Sequence, residues 1–280
     1  MKNLFIVLFF VFLIKAFFCF PDSFDDDFTS FNETRWRKGG LWTNGGDVFQ
    51  CCWRQDECYI EEEELVLKIS DEGCPDECDE MPYASGELRS RDLFTYGTFF
   101  VNMKPAAANG TVSSFFTYTS PSDASLINEI DIEILPFDPQ AVQFNVWRGG
   151  VQDPYKFDLD FDPFADYHEY SFKWERESVT FYVDNKQAYK YEGEIYESEG
   201  MKIMANLWPC KADNWCTPPE FQIANNEDDK SKYKRISYTT IEDSNDDDDD
   251  DDDNNNMTSD STTLGLLFNF FFVLLFLFIF

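Results

Sequence analysis

Hydrophobic and polar residues alternate with a period of two in several parts of this chain, and this pattern restricts what it can fold into. The alternation is clearest in the segments 65–70, 99–103, 142–146, 168–174 and 179–183. Successive side chains of an extended strand point to opposite faces, so each segment predicts a strand with one buried face. No segment has the 3.6-residue period of a convincing amphipathic helix. We therefore predict an all-β domain, a two-sheet β-sandwich of the jelly-roll type.

Both ends of the chain are apolar, and they predict two different targeting segments. Residues 1–20 contain an apolar run of about 11 residues, too short to span a bilayer and typical of a secretory signal peptide. Residues 264–280 are nearly all apolar, with no Lys or Arg beyond them. Small polar residues precede this tail by about 8 to 12 residues, which predicts a cleaved signal for a glycolipid (GPI) anchor. A tail-anchored helix is the alternative.

Between these ends we predict one domain, residues 21–241, followed by an acidic spacer, residues 242–263. The spacer contains eight consecutive aspartates, which repel one another and cannot be buried. We therefore expect a solvated linker and not a calcium-collecting segment. The formal net charge of −32 excludes nucleic acid as a partner, because so acidic a surface repels phosphate. Sequons at Asn32, Asn109 and Asn256 agree with export. We expect a monomer at the cell surface.

The cysteines are typical of an oxidising compartment. If the signal peptide removes Cys19, seven cysteines remain, and an odd number leaves one unpaired or intermolecular. Five lie between residues 51 and 78, which predicts disulfides in that segment. Cys210 and Cys216 are expected to close one loop. A zinc site is disfavoured, because the chain has a single histidine.

The candidate catalytic residues lie in the segment NEIDIEI, residues 128–134. On a strand, Glu129, Asp131 and Glu133 point to one face, and the isoleucines between them point to the other. Crowded carboxyl groups raise one another's pKa, so one of them can stay protonated near neutral pH. The α-carbons of the two glutamates would be about 13 Å apart. Side chains that lean together could close this to the roughly 5 to 5.5 Å of a retaining glycosidase. An exposed acidic edge strand is the alternative.

An ordered series of segments resembles family 16 of the glycoside hydrolases, and within it the lichenases that cut mixed-linkage β-1,3-1,4-glucans. The series covers about residues 24–240 and includes GELRSRDLFTYGTFF, INEIDIEIL, VQFNVW, YHEYSFKW, FYVDN and MKIMANLWP. The resemblance implies a concave groove for β-glucan. It also implies that Glu129 is the nucleophile, Asp131 its helper and Glu133 the acid/base residue of a retaining endo-β-glucanase. We expect no cofactor and no metal.

The groove residues follow partly from alternation and partly from the resemblance. Along residues 142–147, apolar residues alternate with Asn145 and Trp147, so this strand has a core face and a sugar-binding face. Aromatic rings stack on pyranoses, and planar polar groups match hydroxyls. His168 matches a family position but lies on an apolar strand face, so we assign it to the core. For each aromatic residue, core packing is the alternative. The other positions that match the family's groove are Asn44, Glu87, Arg89, Phe116, Tyr118 and Trp208.

Two departures from the family pattern affect the groove. Ile127 replaces a tryptophan of the lichenases, and residues 209–216 replace a glycine-rich loop. Trp215 in this loop is a candidate stacking platform for an acceptor sugar, on the side of the groove nearest Glu133. The alternative is a surface loop that the disulfide stabilises and that has no role in sugar binding. The linkage preference of the family therefore does not carry over to this chain.

Two further departures concern stabilising features. Lys234 stands at the position that resembles the family's calcium-binding aspartate, which argues against calcium there. Ser85 stands at the position that resembles the cysteine partner of Cys51. The family's N-terminal disulfide must therefore be rearranged, with Cys74 or Cys78 as the new partner.

Three functions of different classes fit these residues. The first is a retaining endo-β-glucanase acting on β-1,3-1,4- or β-1,3-glucan. The second is a GPI-anchored cell-wall glucan transglycosylase, in which a sugar replaces water as the acceptor. The third is a glucan-binding lectin without catalysis, which the presence of all three carboxyl groups disfavours.

Overall fold

The computed structural model of this chain describes the region between the predicted targeting segments. In that region, no helix is long and apolar enough to cross a membrane. The predicted signal peptide, acidic spacer and anchor signal lie outside the described residues, as do Cys74 and Cys78. The described residues are 21–44, 47–71, 81–119, 124–195 and 200–241.

Strands make up almost all of the regular structure in this region, which confirms the all-β prediction. Three single-turn 3-10 helices, Gln55–Glu57, Ala124–Leu126 and Glu227–Asp229, lie in the connections. The strands are β1 (Phe24–Asp26), β2 (Trp36–Lys38), β3 (Cys51–Trp53), β4 (Cys58–Glu61), β5 (Glu64–Ser70), β6 (Tyr83–Ser85), β7 (Glu87–Ser90), β8 (Gly97–Lys104), β9 (Thr111–Tyr118), β10 (Glu129–Ile134), β11 (Ala141–Arg148), β12 (Val151–Asp158), β13 (His168–Glu175), β14 (Ser178–Val183), β15 (Lys186–Glu192), β16 (Lys202–Pro209) and β17 (Lys230–Thr240).

These strands form two sheets, as the prediction of a sandwich requires. The first sheet has the order β15-β14-β13-β8-β17-β5-β6-β3, with β1 paired to β17 and β4 paired to β5. The second has the order β12-β11-β10-β9-β16-β7-β2. All pairings are antiparallel except that of β3 with β6. The second sheet carries the candidate catalytic strand, β10, between β9 and β11.

Aromatic residues from the inner faces of both sheets fill the core. Phe144 of β11 stacks on Phe181 of β14, with ring centroids 4.5 Å apart, and thereby joins the two sheets. Phe115 of β9 packs against Phe172 of β13 with tilted rings, whose centroids are 6.1 Å apart, and also joins the sheets. All four side chains are fully buried. The alternation in the sequence therefore marks the inner faces correctly.

The predicted disulfide between Cys210 and Cys216 is confirmed, and so is a disulfide in the segment 51–78. Cys210 and Cys216 form a disulfide, with α-carbons 6.1 Å apart. Cys52 is also disulfide-bonded, as expected of the cluster around it. Cys58 is buried and carries a free thiol. The disulfide predicted for Cys51 is wrong, because the neighbouring Cys52 is the disulfide-bonded residue of this pair.

His168 lies at the end of β13 and is only partly buried, so its assignment to the core needs correction. Its ring stacks on Phe161, with centroids 3.6 Å apart. Its Nδ1 atom lies 2.8 Å from the Asp184 carboxylate. The polar partner holds the imidazole at the margin of the first sheet, where solvent reaches it. The apolar alternation along β13 gives no sign of that partner.

A substitution at Ile132 tests how much the core packing of β10 contributes to the stability of the fold. The Ile132 side chain is fully buried. Replacing Ile132 with Ala should lower the free energy of unfolding by about 2 to 5 kcal/mol, because the substitution leaves a cavity. The measurement is the urea midpoint at unchanged m-value. Val151→Ala is the control, since Val151 is 71% exposed and its loss should cost less than about 0.5 kcal/mol. Equal losses in the two variants would contradict the prediction.

Candidate active site

Strand β10 holds three carboxyl groups on the outer face of the second sheet, which we call the groove face. Glu129, Asp131 and Glu133 alternate with three isoleucines that are fully buried in the core. Asp131 is 5% exposed, and both glutamates are partly exposed. The strand therefore has one purely apolar face and one purely acidic face. The predicted alternative of an exposed acidic edge strand is wrong, because β10 is paired on both sides.

The register of the neighbouring strands places a specific pair of side chains beside each carboxyl group. Directly opposite residues in antiparallel strands have Cβ atoms about 4.5 to 5.5 Å apart and share a face. The register therefore builds three rows across the groove face. The rows are Trp147-Glu129-Tyr118, Asn145-Asp131-Phe116 and Gln143-Glu133-Ser114, each written from β11 through β10 to β9.

A cavity of about 690 Å³ opens over these rows and extends across β9, β16, β7 and β2. It has the size of a site for several sugar units, with aromatic rings and a few convergent polar groups. The three carboxyl groups line it together with seven of the nine residues predicted to bind substrate. These seven are Asn44, Glu87, Arg89, Phe116, Tyr118, Trp147 and Trp208.

The other two predicted substrate-binding residues, Asn145 and Trp215, do not line this cavity. Asn145 lies on the groove face as expected, but it is 9% exposed, and its Oδ1 atom has no hydrogen-bond partner in the described region. Trp215 lies beside the cavity, with its ring 5.8 Å from that of Trp208. Its indole N–H donates to Gln143 Oε1 at 2.7 Å.

Several residues that line the cavity were missed in the sequence. Ser114, Met204, Asn206 and Arg37 reach it because of the register of β9, β16 and β2, and a single strand does not reveal its register. Alternation along β9 and β16 was the signal that could have identified the first three. Trp42, Thr43 and Phe49 lie in loops, where no periodicity exists to identify them.

Aromatic contacts fix two walls of the cavity. Phe49 stacks on Trp208 with ring centroids 4.1 Å apart. The Arg89 guanidinium lies 4.4 Å from the centre of the Trp42 ring and 2.5 Å from Glu87 Oε1. Burial raises the pKa of Glu87, while Arg89 opposes that rise. A buried charge that is paired in this way is held in one geometry, which suits recognition of sugar hydroxyls.

The three carboxyl groups of β10 influence one another's protonation. Burial raises the pKa of Glu129, and the charge of Glu133 adds to that rise. Burial also raises the pKa of Glu133. The pKa of Asp131 is raised well above its ordinary value by burial and then by both glutamates. The set therefore retains protons near neutral pH, as the crowding in the sequence predicts.

Asp131 makes two side-chain hydrogen bonds, one to Glu129 and one to Trp147. A protonated Asp131 donates to the Glu129 carboxylate, which lowers the pKa of Glu129 against the other effects. The indole N–H of Trp147 donates to Asp131 in turn. Asp131 thus opposes part of the rise in the pKa of Glu129 and holds its side chain in one orientation. Burial alone raises the pKa of Glu133, so this group can carry a transferable proton near neutral pH.

Nothing in the described residues points to a metal. No group of three or more His, Cys, Asp or Glu side chains there could hold a metal ion. Lys234 lies 3.8 Å from the ring centre of Tyr167, and its Nζ atom is 3.8 Å from Glu64. A bound cation at this point would be repelled by the lysine charge.

The comparisons with known proteins agree with this geometry. The model of the family described as "Glycosyl hydrolases family 16" matches residues 45–232. A protein named beta-glucanase from Acetivibrio thermocellus is 40% identical over 190 residues, which are 67% of this chain and 55% of that protein. The chain thus spans about half the length of that relative. A beta-glucanase from Brevibacillus brevis is 37% identical over 197 residues, which are 69% of this chain and 73% of that protein.

Solved structures show the same similarity. The structure of Bacillus licheniformis beta-glucanase has a TM-score of 0.70 and 34% identity, and the match covers 79% of this chain and 99% of that one. The structure of a beta-1,3-1,4-glucanase (lichenase) from a mouse hindgut metagenome has a TM-score of 0.71 and 36% identity. That match covers 79% of this chain and all of the other.

The raised pKa values predict that the acidic cluster destabilises the fold as the pH rises. A carboxyl group whose folded pKa exceeds the ordinary value of 4.5 binds more protons when folded, so the free energy of unfolding falls as the pH climbs above that value. Glu133→Gln should therefore raise the melting temperature by about 3 °C at pH 8. At pH 4 it should have little effect. Glu177→Gln, an exposed turn residue, is the control. A gain at pH 4 as large as at pH 8 would refute this explanation.

Proposed function

Since this chain belongs to family 16 of the glycosyl hydrolases, enzymes that act on O-glycosyl bonds, we propose that it is a retaining endo-β-glucanase. Its substrate would be a β-1,3-1,4- or β-1,3-glucan. The observation that carries the proposal is the row of three carboxyl groups on β10, which lie together at the wall of the 690 Å³ cavity. A retaining enzyme needs two close carboxyl groups, one of them protonated.

The cavity fits a flat, uncharged polysaccharide. Its aromatic side chains offer surfaces for the apolar faces of pyranose rings, and its polar groups suit hydroxyl recognition. It crosses the second sheet from β11 to the edge strand β2, so it is long enough to bind several consecutive units of a polymer. The relatives named above are beta-glucanases. These points together favour an endo-acting enzyme on β-glucan.

In the first step, a carboxylate oxygen of Glu129 attacks the anomeric carbon of the sugar bound in the cavity. The bond between that carbon and the glycosidic oxygen breaks, and Glu133 gives its proton to the departing oxygen. The hydrogen bond from Asp131 favours the ionised form of Glu129 and orients it for the attack. The product of this step is an ester between Glu129 and the sugar.

In the second step, water replaces the sugar that has left. Glu133, now ionised, takes a proton from the water while the water oxygen attacks the same carbon. The ester bond to Glu129 breaks, and the configuration of the starting linkage is restored. A sugar hydroxyl in place of water would give transglycosylation by the same two steps.

Removal of either glutamate should stop this reaction. Glu129→Gln and Glu133→Gln should each lower kcat on β-glucan by at least about 10³-fold, because each removes one of the two obligatory carboxyl roles. Reducing-end release from barley or lichen β-glucan measures the loss. Unchanged circular dichroism shows that the fold is intact. Glu177→Gln, in the exposed turn between β13 and β14 of the first sheet, is the control and should keep full activity in the same assay.

Azide distinguishes the two roles. It should restore turnover to Glu129→Ala by attacking the anomeric carbon directly, which gives an α-glycosyl azide with inverted configuration. With Glu133→Ala and an activated leaving group, azide should instead give the β-product. Near-wild-type activity in either glutamine variant, or the opposite stereochemistry, would refute the assignment.

We also propose that the enzyme works outside the cell, attached to the membrane by a glycolipid. The disulfides at Cys52 and at Cys210–Cys216 support an oxidising compartment. Treatment of intact expressing cells with a phosphatidylinositol-specific phospholipase should release active full-length enzyme, and truncation after Asp253 should give a secreted active form. Enzyme that stays on the cells after treatment, with residues 264–280 still present by mass spectrometry, would favour a tail-anchored helix.

A further inference from the structure

The end of the main cavity at the edge strand β2 carries an excess of positive charge. Arg37 of β2 lies directly opposite Arg89 of β7, and this row continues through Met204 of β16 to Phe116 of β9. All four residues of the row line the cavity. Like charges that face each other across an antiparallel pair repel, so the two arginines destabilise this edge of the sheet.

The two arginines differ in what holds them. Arg89 donates to Glu87 and lies against the ring of Trp42, as described above. Arg37 is exposed and makes no ion pair with a carboxylate of the described residues. Its charge still helps to lower the pKa of Glu87, against the larger effect of burial and in addition to that of Arg89. One carboxylate therefore faces two guanidinium groups.

Lys202 of β16 adds a third positive charge next to this row. It precedes Met204 by two residues and therefore lies on the same face of β16. Its ammonium donates to the main-chain carbonyls of Arg91 and Asp92. Burial lowers the pKa of Lys202, and the charge of Arg37 lowers it as well, while the charge of Asp92 opposes the fall. The effect of Arg37 shows that the two cations are near each other.

These cations offer hydrogen-bond donors to a ligand and almost no acceptors. Guanidinium and ammonium groups donate hydrogen bonds and accept none, and the Glu87 carboxylate is already occupied by Arg89. A neutral sugar hydroxyl both donates and accepts, so it leaves part of this donor capacity unused. A carboxylate only accepts, and its two oxygens match the planar fork of an arginine. The β2 end of the cavity therefore suits an anionic group.

The charge of the cavity changes sign along its length. β9, β16 and β7 separate β10 from β2, so the acidic and basic ends lie about 19 Å apart at about 4.8 Å per strand. At about 0.1 M salt, charges are largely screened beyond about 10 Å. An anion at β2 therefore experiences the arginines far more than the β10 carboxyl groups or the acidic surface as a whole. An anion next to β10 is repelled.

The part of a bound glucan that reaches β2 is its non-reducing end. Under the proposed function, the sugar esterified to Glu129 must stay bound after the leaving group departs, so it belongs in the larger part of the cavity. Most of the lining lies on the β9 side of β10, toward β2. Because the ester is formed at the anomeric carbon, the chain continues from it toward the non-reducing end.

We propose that Arg37, together with Arg89 and Lys202, binds the carboxylate of a uronic acid at the non-reducing end of the bound chain. The inference rests on the proposed function above, which concerns the uncharged units that cross the rest of the cavity. The preferred substrates would be β-glucan oligosaccharides whose end unit is glucuronic acid. Arg37 is the specificity-determining residue, because Glu87 and main-chain carbonyls already hold the other two cations.

Two substrates that differ in a single functional group test this proposal. The first is a nitrophenyl β-glycoside of a mixed-linkage glucan tetrasaccharide, whose sugars all lie on the β2 side of the scissile bond. The second is the same compound with C6 of its non-reducing glucose oxidised to a carboxylate. The wild-type kcat/KM should be about fivefold higher on the acidic substrate, since a bidentate pair is stronger than a simple surface ion pair. In Arg37→Gln this ratio should fall to about one.

Arg176→Gln is the matched control, because Arg176 is an exposed arginine in a turn of the first sheet. It should keep the wild-type ratio. Raising the salt concentration from about 0.05 M to about 0.5 M should lower the ratio in the wild type, because exposed charge pairs are screened. A wild-type ratio of one or less would overturn the proposal. So would an Arg37→Gln ratio equal to that of the wild type, whatever the loss on each substrate.

A binding measurement distinguishes failure of this proposal from failure of the proposed function. The acidic and neutral tetrasaccharides are titrated into Glu129→Gln and into Glu129→Gln/Arg37→Gln by calorimetry, which requires no catalysis. Tighter binding of the acidic sugar that is lost in the double variant supports the site, even if the wild-type enzyme hydrolyses neither compound. Equal affinities in the single variant, or a preference that persists in the double variant, refute it even if the enzyme is an active glucanase.

Discussion

The structure depends on the attachment of one acidic strand to an apolar core. Three isoleucines of β10 are fully buried, and each contributes about 1.5 to 3 kcal/mol relative to an exposed side chain. The opposite face of the strand carries three carboxyl groups whose raised pKa values show that they are held there at a cost. Repulsion among three ionised carboxyl groups would destabilise this strand if it were exposed. Here the buried face and the pairing with β9 and β11 hold it in place.

This arrangement also explains why the chemistry lies on strands and not on loops. A carboxyl group on a paired strand keeps its distance from its neighbours, because the register of three strands must change before it can move. The contact of Trp147 with Asp131 is one consequence, since it joins neighbouring rows of the same sheet. Loops supply the more variable walls, such as the pair formed by Phe49 and Trp208.

The sequence predicts the strands well and the site only in part, for a physical reason. Alternation reports which face of a strand is apolar, so it identified the core residues of β11 and the acidic face of β10. It does not report register, and register brings Arg37 and Asn206 to the cavity. Asn145 illustrates the same limit. Its face was predicted correctly, but its burial depends on neighbours in other strands.

The difference between strands and loops bears on how such an enzyme changes its specificity. Under the proposed function, the carboxyl groups must stay in one geometry for any β-glucan, whereas the position of the bound glucan around them decides which linkage is presented. Ile127 gives the main cavity a small apolar wall next to Glu129. The disulfide-closed loop with Trp215 shapes the opposite side of β10. Both departures leave the catalytic strand unchanged, so the chain can alter its choice of substrate without disturbing the buried isoleucines that hold the chemistry in place.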